Sequence, residues 1–277
     1  AYVVLESTHD ATPEPGFPLL TDEVERLQFR LERRGRRQLD DNDRIDLSAV
    51  TQTEREAIHG RRSRRYYLEQ PVEAERLSRL LSVLASEELP NGLPKHFYAS
   101  AGCLYPVQVY MHIRHNGVDG IPAGLYYYRP EQHALLPLPS LAGTPVVREG
   151  FQEAGFGIYL IGKLGAIAPL YGEHARPWCY LEAGMICQAL EQKAPGLDLG
   201  LCQIGGLDPA PMQAIFGLAD DEIYLHALYG GVPDTTRHIA TEPGSQVSPE
   251  QALREHLAER LPTYMIPSHF IDRKSVV

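Results

Sequence analysis

RPWCYLEAGMICQALEQK, residues 176–193, is the stretch on which the fold reading turns. Pro177 stands near its first turn, where a missing N–H costs nothing. Trp178, Leu181, Met185, Ile186 and Leu190 make it apolar nearly all round, so a central, buried helix is expected. Strand patterns lie on both sides of it. VQVYMHIRH (107–115) alternates, with Val107, Val109, Met111 and Ile113 on one side, and reads as a half-buried strand. GLYYYRPEQHALLPL (124–138) reads as a hairpin around Arg-Pro-Glu-Gln, and FGIYLIGKL (156–164) and IYLHALYGG (223–231) as further strands. VEAERLSRLLSVLAS (72–86) sets Val72, Leu77, Leu80, Leu81 and Leu84 on a helical stripe, and 22–34 carries a weaker one. Strands paired locally, helices between them and no βαβ phosphate fingerprint predict an α+β fold rather than a doubly wound one.

The 277 residues suffice for a full core. An apolar fraction of 43% and a charged fraction of 22% are those of a soluble globular chain. No apolar run reaches membrane-span length. The net charge of −10 argues against nucleic acid as the main partner. Cys103, Cys179, Cys187 and Cys202 show no paired CxxC spacing, so neither a metal site nor a disulfide framework is expected. The opening AYVVLESTHD has no basic start and no cleavage pattern, and a reducing, cytoplasmic protein is expected. The first residue is not Met, so a fragment of a longer chain is expected.

Four clusters can carry chemistry. RRSRRYY (61–67) sets guanidinium groups and a hydroxyl along an extended segment, suited to phosphate and carbonyl oxygens; a solvated basic loop is the plain alternative. FYASAGCLYPVQVY (97–110) has small residues that permit close backbone approach to a flat ligand, or simply a tight turn before a strand. LCQIGGLD (201–208) reads as a buried strand ending in Gly205-Gly206, where backbone N–H groups can face a ligand. PLYGEHARPWCYLEAGM places Tyr171, Glu173, His174 and Arg176 at the mouth of the helix. Glu182, inside that helix, reads as a hydrogen-bonded structural carboxylate.

Taken together, RRSRRYY, SAGCLYP, YLEAGM, the Gly-Gly pair and Arg237 in GGVPDTTRH resemble the nitroreductase-like flavoproteins over roughly residues 55–240. They are most similar to the azoline-oxidase branch, which forms thiazoles and oxazoles. The resemblance implies a mostly antiparallel central sheet flanked by helices, bound FMN, and a homodimer with flavin sites at the interface. It implies FMN contacts from Arg61, Arg62, Ser63 and Arg65. Ala99, Ser100, Ala101 and Cys103 match the loop that reaches across the interface. Ile204, Gly205 and Gly206 match the segment beside the flavin edge, and Arg237 a second phosphate contact. The branch carries a Lys-Tyr pair before the helix; here it is Leu170-Tyr171, with the lysine gone. AYVV (1–4) and LREHLAERLPTYMIPSHF (253–270) resemble two stretches of the adenylation domain of nonribosomal peptide synthetases. The expected organisation is thus an adenylation stub and linker at 1–21, an oxidase domain at 22–240, and a linker and stub helix at 241–277, with the helix capped at Ser248 and Gln251.

The implied substrate is a thiazoline or oxazoline held as a thioester on a peptidyl carrier protein. A base removes the ring proton alpha to the carbonyl, hydride passes to the flavin, and oxygen takes the electrons. Tyr171 is the candidate base or proton relay, with Arg176 as its cation. His174 or Glu173 is the alternative base. An ordinary tyrosine, with a pKa of about 10, needs such a cation to serve near neutrality. Three other readings stay open. One is dehydrogenation of an acyclic aminoacyl thioester, as in pigment-forming relatives that oxidise tethered glutamine. The others are a nicotinamide-dependent nitro or quinone reductase, and a non-catalytic dimerisation module.

Overall fold

The computed structural model describes residues 22–32, 35, 37, 39, 44–139, 143, 145, 147–148 and 150–237. The expected stubs at 1–21 and 241–277 lie outside the described residues. The described chain divides into two units between Arg55 and Glu56. In the first unit, helix α1 spans Glu23–Leu31, within the stripe read at 22–34. Helix α2 (Gln52–Gly60) opens on a reciprocal cap: the Thr51 N–H donates to Glu54 Oε2 at 2.7 Å, and the Glu54 N–H to Thr51 Oγ1 at 3.3 Å.

The second unit is built on a six-stranded sheet. Helix α3 (Ala74–Leu81) leads into a short β1–β2 ribbon, Ser86–Glu88 and Pro94–His96. The sheet strands are β3 (Val107–Ile113), β4 (Gly124–Arg129), β5 (Ala134–Leu138), β6 (Phe156–Lys163), β7 (Gly200–Ile204) and β8 (Glu222–Gly231). Their order is β5-β4-β3-β6-β8-β7, and every pairing is antiparallel. Helices α4 (Ala168–Tyr171) and α5 (Ala175–Lys193) join β6 to β7, and α6 (Ala210–Phe216) joins β7 to β8. This is the α+β, antiparallel arrangement that the sequence led us to expect.

Strand alternation divides the core between two faces. Val109, Met111, Ile158, Leu160 and Leu228 pack with Leu77, Leu80, Leu84, Ile186 and Leu190 from the helices. Tyr110, Tyr159, Ile161, Ala227 and Tyr229 pack on the opposite face with Met212, Ile215 and Phe216 of α6. Full burial of each large apolar side chain contributes about 1.5–3 kcal/mol, so both faces contribute.

Two expectations need correction. Strand β3 is not half-buried: Tyr110 and His112, on its supposed polar side, are buried beneath the second layer. Burial, with the Arg114 charge adding, pushes His112 down to about 4, so it is neutral near pH 7. Helix α5 is central, but it is not buried all round. Ile186 and Leu190 are buried, whereas Trp178 is 39% and Leu181 50% exposed. The helix sets one face on the sheet and leaves an apolar face uncovered by any described residue.

Between β3 and β4, and before β6, two backbones touch. A Cβ on Gly117 would fall 2.0 Å from the Gly155 carbonyl oxygen, and one on Gly155 would fall 2.6 Å from that of Gly117. Backbone cannot yield as a side-chain tip can. Gly117→Ala is therefore expected to destabilise the chain by about 3 kcal/mol, the upper end for overpacking. Urea unfolding midpoints measure this; an unchanged midpoint would show that the two loops do not meet.

Candidate active site

The basic segment is fixed by the edge of the sheet. The Arg64 N–H donates to the Leu201 carbonyl at 2.8 Å, the Leu68 N–H to Val232 at 2.9 Å and the Asp234 N–H to Tyr66 at 3.0 Å. The Tyr67 hydroxyl lies 2.7 Å from the Arg64 carbonyl oxygen and 2.9 Å from that of Tyr229. Gly200 permits this packing, because a Cβ there would stand 2.7 Å from Arg64 Cβ. The backbone of 64–68 thus lies along β7 and the exit of β8.

Around that backbone the arginines gather. Arg62 donates from Nε to the His59 carbonyl at 2.9 Å, and Ser63 beside it is half-buried. The Arg237 guanidinium lies 4.4 Å over the Tyr66 ring, which brings the late arginine to the same corner as the early ones. Burial pushes the Cys202 thiol of β7 up, while the Arg65 and Arg148 charges, among its neighbours, pull it down. Arg148 also donates from Nη1 to the Gly205 carbonyl at 2.6 Å. Ile204 is buried at the end of β7, and Gly206 has φ +71°, in the left-handed region. Arg64 and, through Tyr66, Arg237 thus sit beside the start of the edge strand β7, while Ile204, Gly205 and Gly206 lie at its other end.

Two members of this corner escaped the sequence reading. One is Arg148, whose neighbours in sequence carry no motif. The other is Glu191 of α5, buried, with Oε2 3.7 Å from Arg61 Nη1. Its Oε1 has no hydrogen-bond partner among the described residues. A carboxylate inside an apolar helix is itself a signal, since such a group is costly to bury unpaired.

The second group of residues meets at the other end of α5. Glu182 is 3% exposed. Its Oε2 accepts a short hydrogen bond from the Ser100 hydroxyl, and its Oε1 accepts from the Val107 N–H at 3.2 Å. The Ser100 oxygen in turn accepts from the Tyr105 N–H at 2.9 Å. The turn between them holds Gly102, Cys103 and Tyr105 at φ 62°, 57° and 47°. A Cβ on Gly102 would come within 3.0 Å of the Tyr171 hydroxyl, so that phenol stands against the turn. Tyr171 also lies 6.0 Å, centroid to centroid, from Trp178. Ala99 and Cys103 are exposed, and Ala101 is half-buried.

His174 and Glu173 form a loose exposed pair at 3.9 Å. Arg176, in the first turn of α5, is exposed. Among the described residues no hydrogen bond joins Tyr171 to either His174 or Arg176. Leu170 is 65% exposed where the resembled branch has lysine. No cluster of metal-ligating side chains occurs among the described residues, and no described helix is long and apolar enough to cross a membrane.

Glu182 and Glu191 are nine residues apart, which is about 14 Å along the helix and half a turn round it. The basic corner and the Tyr171 turn are thus anchored at separate points of one rod.

Three comparisons bear on this geometry. The model of the nitroreductase family matches residues 58–231. A protein of Dickeya dadantii named indigoidine synthase is 37% identical over 123 residues, which are 43% of this chain and 8% of that protein. A Streptomyces lavendulae protein of the same name is 32% identical over 155 residues, 56% of this chain and 11% of that protein. The chain thus spans only a small part of these two relatives. Among solved structures, a chain of the E. coli microcin synthetase McbBCD complex with truncated pro-MccB17 bound has the same fold, with TM-score 0.58 and 16% identity. That match covers 79% of this chain and 85% of the other.

Burial pushes the Glu182 carboxyl up from 4.5 to about 7, against the downward pull of its Ser100 and Val107 hydrogen bonds. The folded state therefore holds this proton more tightly than the unfolded state. The stability it adds is full below the unfolded value and is lost as pH rises through the folded one, by on the order of 3 kcal/mol. Buried His96, His112 and His226, with lowered values, contribute in the opposite sense. The difference between wild type and Glu182→Gln isolates the carboxyl. From about pH 5 to about pH 8 the wild type should lose on the order of 2–3 kcal/mol more than the variant, measured by urea unfolding. Parallel pH profiles would contradict the assignment.

Proposed function

Because this chain belongs to the nitroreductase family, we propose that it binds FMN at the corner formed by 61–65, 204–206 and Arg237, and oxidises an aminoacyl group presented as a carrier-protein thioester. The observation that carries the cofactor assignment is the unpartnered Oε1 of buried Glu191 beside Arg61. A buried acceptor needs a donor, and FMN brings ribityl hydroxyls. The arginines around it suit the phosphate at the other end of such a chain. Gly206 adds an open, side-chain-free surface, since a Cβ built there meets nothing within 4 Å. When bound, FMN would supply a two-electron acceptor for hydride, with oxygen as the final acceptor.

In this reading the protein's own groups divide the work. Arg61, Arg62, Ser63, Arg65 and Arg237 bind the anionic cofactor. Ile204 and the Gly-Gly corner set the plane against which the substrate lies. Tyr171 would act as a relay, taking the proton alpha to the thioester carbonyl as its own hydroxyl proton leaves toward the exposed His174–Glu173 pair and solvent. Arg176 supplies positive charge at the same helix mouth.

We assign the working unit as a homodimer. Trp178, Tyr180 and Leu181 of α5, with Leu170 and Phe97, are apolar and exposed on one chain. Such a surface asks for a partner. The Ser100–Cys103 turn and the basic corner sit far apart on one α5. A second copy related by a two-fold axis would bring the turn of one chain to the corner of the other.

The substrate we favour is an acyclic aminoacyl thioester of the tethered-glutamine type. Two relatives named indigoidine synthase support it, and the absence of lysine at Leu170 weakens the azoline alternative. The thiazoline or oxazoline reading stands second, on the SAGCLYP and YLEAGM motifs. The host adenylation domain and a peptidyl carrier protein are the proposed partners.

The test is mass spectrometry of carrier loaded with glutamine or with a thiazoline, incubated in air with flavin-replete protein. Loss of two hydrogens from the glutaminyl form is expected; loss from the thiazoline alone transfers the assignment to the second reading. Loss from neither would refute the oxidase. Arg65→Ala should lower flavin content at least about tenfold, as expected for a charge-assisted contact, and full retention of the yellow colour would contradict its role. Tyr171→Phe should keep its flavin but turn over about 100-fold more slowly, within the range for a lost acid–base group.

A further inference from the structure

We propose that Glu182 is a positioning residue of the active site, whose carboxylate clamps the Ser100–Tyr105 turn at both ends and thereby sets where Gly102, Cys103 and Tyr171 stand. The proposal rests on the reading of this turn as a wall of the flavin site.

The geometry is that of a clasp. One carboxylate oxygen takes the Ser100 hydroxyl at the start of the turn, and the other takes the Val107 N–H just past its end. The Ser100 oxygen also accepts the Tyr105 N–H. Between the two anchors lie three residues at positive φ: Gly102, Cys103 and Tyr105. For the two that are not glycine this conformation costs roughly 1–3 kcal/mol each, and it persists only where surroundings impose it. The imposing group is Glu182.

Stability gives no reason for a carboxyl at this place. Burying it costs several kcal/mol, and an apolar side chain on this helix face would pack against the same core. The groups that face it are the Ser100 hydroxyl, the Val107 N–H of β3, the Tyr98 phenol on the adjoining loop and the Cys179 thiol one turn back on α5. Arg176 reaches Cys179 and lowers it, whereas Glu182 and burial raise it. What the carboxylate holds is thus a strained turn, and Tyr171 rests on that turn at Gly102. Its role is transmitted to the chemistry through those residues, not by contact with substrate.

Protonation alters the clasp. An ionised carboxylate only accepts, which matches the two donors it meets. A protonated one carries an O–H that competes with the Ser100 hydroxyl as donor. With the carboxyl pushed up to about 7, the change falls in the neutral range.

Cys103 supplies a probe that needs no flavin. It lies in the turn and is exposed on a single chain, while Cys179, Cys187 and Cys202 are buried. The experiment compares the 277-residue chain, as purified and with added FMN, as wild type, Glu182→Gln, Ser100→Ala and the double variant. At about pH 8 each single variant should change the Cys103 alkylation rate and weaken FMN binding by about tenfold, the effect of losing one charge-assisted hydrogen bond. The double variant should lose less than the sum of the two single ones, because both remove the shared Ser100–Glu182 bond. FMN affinity of the wild type should rise through about pH 7, and that of Glu182→Gln should not. Unchanged alkylation in both single variants would overturn the clasp, and so would additive effects in the double variant. If alkylation responds as stated while the wild type binds no FMN, the clasp stands and the flavin reading falls.

Discussion

The constraint beneath everything else is the placement of β6 at the centre of the sheet. Seven of its eight residues are buried, and it is paired on both sides, with β3 and β8. A strand in that position has no polar face to give away, so both neighbouring layers must cover it. Helix α5 covers one side, and Gly162 lets it come close: a Cβ there would stand 3.2 Å from Cys179 Cβ and 3.1 Å from Leu225 Cδ1. The helix that carries both buried carboxylates is therefore located by a strand that contributes no residue to the proposed site. Site geometry is inherited from core packing, as expected when functional residues are held by rigid elements.

Much of this architecture was legible in the residues, and the exceptions have physical causes. The β4–β5 hairpin, β6, β8 and α5 announce themselves by alternation or by length. Helix α6 went unread because it is seven residues long and lies among prolines, with Pro211 in its first turn. Strand β3 was read as half-buried because Tyr110, His112 and Gln108 look polar. A tyrosine is mostly apolar surface, and Tyr110 packs against Phe216 at 5.3 Å between ring centroids. Trp178 and Leu181 were read as core because hydropathy says that a side chain avoids water, not which neighbour excludes it. Their exposure on a single chain is the kind of disagreement that an assembly resolves.

The site was legible as a set of motifs and not as a geometry. RRSRRYY, the Gly-Gly corner and Arg237 lie far apart in sequence, and only the sheet edge brings Arg64, Leu201 and Val232 together. No periodicity marks that convergence. Glu182 was correctly read as a hydrogen-bonded carboxylate, but its partners could not be read. Ser100 is eighty-two positions away. Glu191 was overlooked because a single acid near a helix end usually faces solvent, whereas this one is buried and keeps one oxygen without a donor.

The loss of lysine beside Tyr171 has a consequence for how the phenol can be controlled. A neighbouring ammonium would stabilise phenolate through charge. Leu170 offers none and faces solvent on a single chain. What remains against the Tyr171 hydroxyl is a backbone turn whose shape is imposed from beneath by a carboxylate. Control through position is weaker than control through charge at shifting a proton equilibrium, but it is stricter about where the phenol stands relative to a substrate carbon. Such a site suits a substrate whose own carbonyl already acidifies the proton to be removed, as a thioester does. The chain's departure from the azoline pattern thus leaves acidity to the thioester, which cyclic and acyclic substrates share, and direction to the protein.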